Sequence, residues 1–164
     1  MKAVLQRVAG ASVSVNDEII GRVGSGAGDF SAQGVGFMIL LGVEVGDSDK
    51  DSEYLAQKTV DLRIFNDEQG KMNRSILDVN GSILVISQFT LAADWRKGRR
   101  PGFTKAAPPD EGKRLYEHFV GQLRKHGVHV EMGSFGAEMK VALVNDGPVT
   151  LLLENQFSRD ATPV

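Results

Sequence analysis

The stretch Ser82-Ile83-Leu84-Val85-Ile86-Ser87-Gln88-Phe89-Thr90-Leu91 changes from apolar to polar within a few residues. Aliphatic and β-branched side chains fill consecutive positions 83–86, which is typical of a strand that is covered on both faces. Hydroxyl and amide groups follow at once, at the carboxyl end of this predicted strand. Because an unpaired buried polar group costs about 1–3 kcal/mol, we expect residues 87–90 to present their polar groups to a ligand.

The segments around this strand predict an α/β fold in which a β-hairpin is followed by two β-α units and then three strands. Alternation of Val13 and Val15 with Ser12 and Ser14 is typical of a half-buried hairpin strand. This order of elements predicts a mixed sheet with two helices on one side. The predicted strands span residues 2–8, 11–15, 18–23, 35–43, 82–88, 128–132, 138–144 and 149–154, and the predicted helices span residues 49–63 and 110–126.

Both predicted helices have a polar start and an apolar stripe. Asp47-Ser48-Asp49 is the predicted cap of the first helix, and Asp110 is the predicted cap of the second. The apolar stripes follow helical spacing and are expected to face the core. They consist of Leu55, Thr59 and Leu62 in the first helix, and of Leu115, Phe119 and Leu123 (or Gln122) in the second.

Length and composition indicate one domain over residues 1–164, with a frayed tail over about 155–164. No apolar run approaches the roughly 20 residues that a membrane-spanning helix needs, and Gln6 and Arg7 interrupt any signal-peptide core. The sequence contains no cysteine, which excludes disulfides, thiolate catalysis and cysteine zinc sites. We therefore expect a cytoplasmic protein that has no membrane partner.

Five glycines in the segment from Gly24 to Gly36 indicate a loop. No Gly-Lys-Ser/Thr sequence follows, so the segment lacks the phosphate-binding lysine of a nucleotide loop. A predicted strand rather than a helix comes next, which also argues against a dinucleotide fingerprint. The composition therefore favours a flexible surface loop.

Positive charge is concentrated in one segment, although the net charge of the chain is −2. Between residues 95 and 105 five side chains are basic and none is acidic. Such a segment in a mildly acidic protein is either a solvated surface loop or a contact for phosphate groups. The basic residues are Arg96, Lys97, Arg99, Arg100 and Lys105, and Lys113 and Arg114 are further candidates for phosphate contacts.

Metal binding and serine hydrolysis are the less favoured interpretations. The three histidines, His118, His126 and His129, have no accompanying pattern of acidic or thiol ligands, so surface or capping roles are expected. Ser87 lacks the Gly-x-Ser-x-Gly elbow of a Ser-His-Asp hydrolase. Ser87 and Thr90 remain candidates for a hydroxyl nucleophile, but no histidine is close in sequence, so hydrogen-bond donation is favoured.

A second polar stretch, Asn145-Asp146-Gly147-Pro148-Val149-Thr150, lies between two apolar runs. Its Gly-Pro pair is typical of a turn between two strands. Only about 5–6% of X-Pro bonds are cis, and the sequence by itself leaves the Gly147–Pro148 bond open to either isomer.

The two polar stretches together resemble the motifs of the D-aminoacyl-tRNA deacylase family, often called D-tyrosyl-tRNA deacylases. Phe89 and the intact run at 146–150 favour the chiral proofreading enzymes over the related animal-type tRNA deacylases. The glycine-rich segment 24–36 is several residues longer than the family usually has. Further matching segments occur along nearly the whole chain: Gln6-Arg7-Val8, Ala11-Ser12-Val13, Leu40-Leu41-Gly42-Val43, Leu62-Arg63-Ile64-Phe65, Gly70-Lys71-Met72-Asn73, and Arg100-Pro101 with Phe103.

The resemblance implies a homodimer with a three-layer α/β/β fold and a cis Gly147–Pro148 bond that projects into the partner's active site. It implies hydrolysis of the ester that joins a D-amino acid to the 3′-terminal adenosine of tRNA, with no cofactor and no metal. The basic segment 96–105 would then contact tRNA phosphates. The implied catalytic residues are Ser87, Gln88, Phe89 and Thr90, and the implied substrate contacts are Gly147, Pro148, Arg7, Met139, Val149 and Thr150.

The chemistry of such a site leaves alternatives open. Carbonyl oxygens of Gly147 and Pro148 against one side of the substrate Cα would accept hydrogen there and reject an L side chain, so glycyl-tRNA is expected to be cleaved too. Arg7 is expected to donate to backbone carbonyls near this motif. Backbone N–H groups of Phe89 and Thr90 would stabilise an oxyanion.

The nucleophile is either water helped by the ribose 2′-hydroxyl, which we favour, or the hydroxyl of Thr90. Two other functions compete with the deacylase. One is a non-catalytic nucleic-acid-binding dimer that has kept the fold. The other is a hydrolase that acts on small D-amino acid esters without RNA.

Overall fold

The computed structural model describes residues 1–24 and 36–155, which form eight strands, two α-helices and one short 3-10 helix. No helix in these ranges is long and apolar enough to cross a membrane. The helices are α1 (Asp49–Asp61) and α2 (Pro109–Lys125), and the 3-10 helix spans Phe89–Ala92. The strands are β1 (Lys2–Val15), β2 (Glu18–Gly24), β3 (Gly36–Gly42), β4 (Phe65–Asn66), β5 (Met72–Arg74), β6 (Ser82–Ser87), β7 (His129–Met132) and β8 (Lys140–Glu154).

Two predictions fall largely on residues that lie outside the described ranges: the surface loop, at residues 25–35, and the frayed tail, at residues 156–164. Asn155, where the predicted tail begins, is instead anchored and only 6% exposed. Its side-chain oxygen accepts a hydrogen bond from the amino group of Met1 at 2.6 Å, and its side-chain nitrogen donates to Asp51.

A six-stranded sheet has the order β2-β1-β3-β6-β7, with β8 paired to β1. Strands β3, β6 and β7 are parallel, and β1 is antiparallel to each of its neighbours. Residues 2–8 of β1 pair with β3, residues 10–15 pair with β2, and β8 accompanies β1 through both parts. The break that the sequence predicts between residues 8 and 11 is therefore wrong, because β1 changes its partner there without leaving the sheet.

Strand β6 is covered on both faces, as its apolar sequence predicts. Ile83 and Val85 belong to a buried cluster with side chains of both α-helices, whereas Leu84 and Ile86 belong to a second cluster with side chains of β1 and β2. The mixed α/β fold with two helices is therefore confirmed. The helices contribute Leu55, Ala56, Val60, Leu115, Tyr116, Phe119, Val120 and Leu123 to the first cluster, and β1 and β2 contribute Val8, Ala11, Val13 and Val23 to the second.

The two helices begin differently. At α1 the N–H and the hydroxyl of Ser48 both donate to the Asp51 carboxylate at 2.7 Å, which confirms the predicted cap. Helix α2 begins at Pro109, so the predicted cap Asp110 lies in its first turn instead. A proline suits the first helical position because its missing N–H would have no intrahelical partner, and the Asp110 carboxylate still interacts favourably with the positive end of the helix.

Strand β8 is continuous, where the sequence predicts two strands joined by a turn. Its pairing with β1 is interrupted, because Gln6 faces Thr150 while Val8 faces Asn145. Arg7 alone therefore lies opposite residues 146–149, which form a bulge. The Gly-Pro pair lies in this bulge and not in a hairpin turn, since both halves of β8 run in the same direction along β1.

Tyr116 of α2 is buried in the first cluster and is 1% exposed. Its hydroxyl donates to the Val85 carbonyl of β6 at 2.9 Å. Burial raises the pKa of Tyr116 well above the ordinary value of a tyrosine. The folded protein therefore keeps the phenolic proton at a pH at which the unfolded chain loses it.

This difference predicts a loss of stability in alkaline solution. The stabilisation is complete below about pH 10, where an exposed tyrosine is still protonated. The free energy of unfolding should then fall by about 1 kcal/mol between pH 10 and pH 11 on account of Tyr116. Urea unfolding of wild type and Tyr116→Phe at each pH measures how much of the fall in the free energy of unfolding is due to Tyr116. A pH dependence of Tyr116→Phe equal to that of wild type would contradict the prediction.

Candidate active site

The polar stretch that follows β6 is held against the neighbouring strand. Ser87 is the last residue of β6, and the N–H of Gln88 donates to the Leu41 carbonyl in β3 at 2.8 Å. The chain then enters the 3-10 helix, in which the N–H groups of Phe89 and Thr90 have no intrahelical acceptor. The side-chain amide of Gln88 donates to the Thr90 hydroxyl at 2.5 Å. These polar groups therefore lie together at the carboxyl end of β6.

A cavity of about 470 Å³ opens beside this stretch. Ser87, Gln88 and Phe89 line it, and Met139 lines it from the segment that precedes β8. A largely apolar cavity of several hundred Å³ with a few polar groups at one end is typical of a small-molecule site. The structure therefore brings four of the predicted site residues together, with Thr90 bonded to one of them. The apolar walls include Leu41, Ile86, Tyr116, Phe135, Ala137 and Val141.

Sequence reasoning missed the wall that residues 135–137 contribute. Phe135 lines the cavity and its ring lies 5.9 Å from that of Tyr116. A Cβ added at Gly133 would lie 2.7 Å from the sulfur of Met139 and 3.1 Å from Ile86 Cδ1. Glycine is therefore what lets Met139 approach the end of β6. The available signal is the run of small residues around Phe135, between two predicted strands.

Arg7 holds the bulge in β8. Its side chain is almost completely buried, at 6% exposure. Its Nε donates to the Asp146 carbonyl at 3.0 Å, and its Nη1 donates to the Ile64 carbonyl at 2.6 Å. The Asp146 carboxylate lies 3.5 Å from Nε and compensates the buried charge. Arg7 thus contacts backbone carbonyls near the Gly-Pro pair.

The side chain of Asn145 spans the bulge from its other end. Its oxygen accepts the N–H of Val149 at 2.8 Å, and its nitrogen donates to the Thr150 hydroxyl at 2.8 Å. The Gly147–Pro148 peptide bond is cis, and both residues are exposed, whereas Val149 is buried. Sequence reasoning did not assign this bridging role to Asn145. The bulge therefore presents the Gly-Pro pair outward on a base that Asn145 and Arg7 fix.

The bulge and the cavity lie apart within one chain. Ser87 pairs with Leu41 of β3, and Leu41 pairs with Ala3 of β1. The bulge lies opposite Arg7, which is four residues farther along β1. Strand β8 is also three strands from β6, in the order β8-β1-β3-β6. At about 3.3 Å per residue and 4.8 Å per strand, the two motifs are roughly 20 Å apart. A small ligand beside Ser87 therefore does not reach the Gly-Pro pair of the same chain.

All residues of the basic segment 96–105 are exposed. None of its five cationic side chains forms an ion pair with a residue in the described ranges. Arg114 differs, because it pairs with Asp49 at 2.6 Å and with Glu111 at 2.7 Å. Lys113 lies 3.9 Å from Glu117. Arg114 is therefore a poor candidate for a phosphate contact, while the loop cations remain available.

The histidines do not join the candidate site. His118 is hydrogen-bonded to Ser52 and to Gln122, each at 3.0 Å, and His126 ends α2. His129 lies 3.0 Å from a carboxylate oxygen of Glu131. Ser87 forms no hydrogen bond to a histidine in the part of the chain that the structure describes. The same part contains no group of three or more histidine or acidic side chains placed to hold a metal ion.

Fold and cavity together define a mixed α/β protein with a candidate site at the carboxyl end of a buried strand. The sequence model of the family described as D-Tyr-tRNA(Tyr) deacylase matches residues 4–154. A D-aminoacyl-tRNA deacylase of Roseiflexus sp. (strain RS-1) is 53% identical over 160 residues, which cover 98% of this chain and 97% of that protein. One of Geobacter sulfurreducens is 51% identical over 162 residues, with 99% and 100% covered. The chain belongs to the D-Tyr-tRNA(Tyr) deacylase family, as its motifs predict.

Two solved structures are similar over most of the chain. The first, described as c-Myc DNA Unwinding Element Binding Protein, is 40% identical and has a TM-score of 0.83, with 94% of this chain and 99% of that chain covered. The second, described as a "probable eukaryotic D-amino acid tRNA deacylase", is 20% identical with a TM-score of 0.72, and 93% and 97% are covered. At that identity the second structure shows the fold alone.

The contacts of Arg7 predict that Arg7→Lys is destabilising. A lysine cannot keep the contacts with both the Asp146 and Ile64 carbonyls, so the free energy of unfolding should fall by about 2–3 kcal/mol. Urea unfolding measures the loss, and amide hydrogen exchange at Val149 should quicken as the bulge loosens.

Arg22→Lys is the matched control, because Arg22 is exposed, and it should change the free energy of unfolding by less than about 0.5 kcal/mol. Equal stability of wild type and Arg7→Lys would show that Arg7 does not anchor the bulge.

Proposed function

We propose that the protein hydrolyses the ester that joins a D-amino acid to the 3′-terminal adenosine of tRNA, in the cytoplasm. The observation that carries this proposal is the cavity at the polar end of β6, where Ser87, Gln88 and Phe89 meet apolar walls. The cavity suits an aminoacyl group together with a nucleoside. Family membership supports the tRNA ester as substrate, since relatives that are more than half identical are named D-aminoacyl-tRNA deacylases.

We propose that the functional unit is a homodimer in which the Gly147–Pro148 pair of one protomer enters the cavity of its partner. The separation of roughly 20 Å between the two motifs within one chain supports a shared site. The exposure of the pair, on a base fixed by Arg7 and Asn145, suits a projecting contact. The two core clusters on opposite faces of β6 support a three-layer α/β/β arrangement in each protomer.

Selectivity for D-amino acids follows from backbone atoms in this proposal. With the ammonium and carbonyl groups of the substrate fixed, inversion at Cα exchanges its hydrogen and its side chain. Carbonyl oxygens of Gly147 and Pro148 against one side of Cα leave room for hydrogen and exclude a side chain. Such a filter rejects every L-amino acid and is indifferent to which D side chain is attached. Met139, Val149 and Thr150 complete the substrate contacts.

The proposed chemistry is attack of water on the ester carbonyl. In this mechanism the N–H groups of Phe89 and Thr90 stabilise the oxyanion of the tetrahedral intermediate. The substrate's own ribose 2′-hydroxyl takes the proton of the attacking water and passes a proton to O3′ as the ester C–O bond breaks. The products are the free D-amino acid and tRNA with a free 3′-hydroxyl. Gln88 donates to the Thr90 hydroxyl, which supports an orienting role for that pair.

The backbone filter predicts which tRNA esters are cleaved. Purified protein, with no metal added, should release D-tyrosine from D-tyrosyl-tRNA at least about 100-fold faster than L-tyrosine from the L-ester. Glycyl-tRNA should also be cleaved, because glycine has hydrogen on both sides of Cα. Release of radiolabelled amino acid measures all three rates. Cleavage of both tyrosyl esters, or complete resistance of glycyl-tRNA, would exclude this filter.

Substrate-assisted attack predicts that Thr90 is dispensable for the bond-breaking step. Thr90→Ala should keep most of the deacylation rate, and a substrate with a 2′-deoxy terminal adenosine should lose it. If Thr90 were the nucleophile, Thr90→Ala would lose more than about 100-fold while Thr90→Ser stayed active. Single-turnover rates with D-tyrosyl-tRNA separate the two mechanisms.

A non-catalytic nucleic-acid-binding function is the second candidate. The similarity to a structure described as c-Myc DNA Unwinding Element Binding Protein favours it, together with the exposed basic segment. Binding of tRNA without cleavage of either tyrosyl ester would support it. A hydrolase of small D-amino acid esters would instead keep its full activity when the tRNA is replaced by a short ester.

A further inference from the structure

Trp95 is the most exposed large apolar side chain among the described residues, at 76% exposure. It directly precedes Arg96 and Lys97, and Arg99 and Arg100 follow within the same loop. All four cationic side chains are exposed, and none forms an ion pair within the described ranges. An isolated exposed apolar residue needs no explanation. An indole and four exposed cations in one loop combine the two groups that bind single-stranded nucleic acid, an aromatic face for bases and positive charges for phosphates.

The loop that carries Trp95 is closed at its base. Asp94 and Gly102 exchange two backbone hydrogen bonds of 2.8 Å, and the Arg96 N–H donates to the Asp94 carboxylate at 3.2 Å. Residues 95–101 therefore form a projecting loop on a hydrogen-bonded stem. The indole is held away from the core by this stem, so its exposure is a property of the backbone.

The stem connects the loop to the cavity. Phe103 directly follows Gly102, and its ring packs edge-on against that of Phe89 at 5.1 Å. Phe89 lines the cavity, and so does Ala106, the residue after Lys105. Trp95 is thus linked to the cavity by the Asp94–Gly102 backbone pair and by the contact between Phe103 and Phe89. Strand spacing and Cα spacing place it roughly 10–14 Å from Phe89, the length of about three to four stacked nucleotides.

We propose that Trp95 is a stacking platform for an unpaired nucleotide near the 3′ end of the tRNA, and that Arg96, Lys97, Arg99 and Arg100 bind the adjoining phosphates. This inference rests on the proposed function, because it requires the 3′-terminal adenosine to occupy the cavity. The nucleotides that precede this adenosine then leave the cavity past Phe89 and Phe103. Stacking is tolerant of base identity, since every base has an aromatic face. The platform therefore selects an unpaired strand rather than a sequence.

The sequence contains a single tryptophan, so fluorescence excited selectively at tryptophan reports on this side chain alone. Uncharged tRNA, which cannot turn over, should quench the emission as a base stacks on the indole. The same tRNA with its unpaired 3′ nucleotides removed should leave the emission close to that of the free protein. Equal quenching by both RNAs, or quenching by neither, would overturn the proposal.

Kinetics separate this inference from the proposed function. Trp95→Ala should lower kcat/KM for D-tyrosyl-tRNA roughly tenfold or more, and the change should be in KM. The same variant should cleave D-tyrosyl-adenosine as fast as wild type does. Trp95→Phe should keep most of the wild-type kcat/KM for D-tyrosyl-tRNA, because phenylalanine retains an aromatic face. Leu77→Ala, at a residue that is 46% exposed on another part of the surface, is the matched control and should behave as wild type.

The outcomes distinguish a failure of the stacking platform from a failure of the proposed deacylase function. If wild type cleaves neither substrate, the proposed function fails and this inference fails with it. If wild type cleaves both and Trp95→Ala loses nothing on tRNA, only the stacking platform fails. If the indole is already shielded from iodide quenching without RNA, and Trp95→Ala changes the sedimentation of the protein, then Trp95 belongs to a protein interface and the inference is overturned.

Discussion

The mismatch between β1 and β8 is the constraint on which the geometry of the site depends. Four residues of β8 must be accommodated opposite Arg7 alone, and a buried cation at that point must be compensated. The bulge meets both requirements, because it turns the Asp146 carbonyl toward the guanidinium while Asn145 closes its opposite end. Because the same guanidinium also binds the Ile64 carbonyl, the bulge is fixed to the segment after α1 as well as to the sheet.

The parts of the fold that the sequence predicts are those with a local signal. The apolar run at 83–86 is covered on both faces, the cap at Ser48 is present, and the stripe of Leu115, Phe119 and Leu123 faces the core. The polar end of β6 likewise lies at a cavity, because an abrupt change from apolar to polar side chains is visible in one short segment.

The parts that the sequence could not predict depend on pairing between distant segments. A Gly-Pro pair between two apolar runs is normally a turn, and only the register against β1 makes it a bulge in one long strand. The apolar wall at Phe135 could not be predicted for the same reason, because it depends on the packing of the nearby Met139 against the end of β6. The predicted cap Asp110 lies two residues after the actual N-cap, Pro108, because Pro109 can begin a helix without an N–H to be capped.

The bulge has a consequence for how such a protein tolerates change. Carbonyl oxygens belong to every residue, but their direction in the bulge depends on glycine at position 147, where φ is +130° and a Cβ would lie 2.7 Å from Val149 Cγ2 and 3.0 Å from Arg7 Nη2. Under the proposed function, stereochemical discrimination is then inherited with the strand register and with the few residues that hold the bulge: Arg7, Asn145 and Gly147. Substitutions elsewhere in the sheet that keep the register would leave it intact, whereas a one-residue insertion or deletion in β1 or β8 would abolish it.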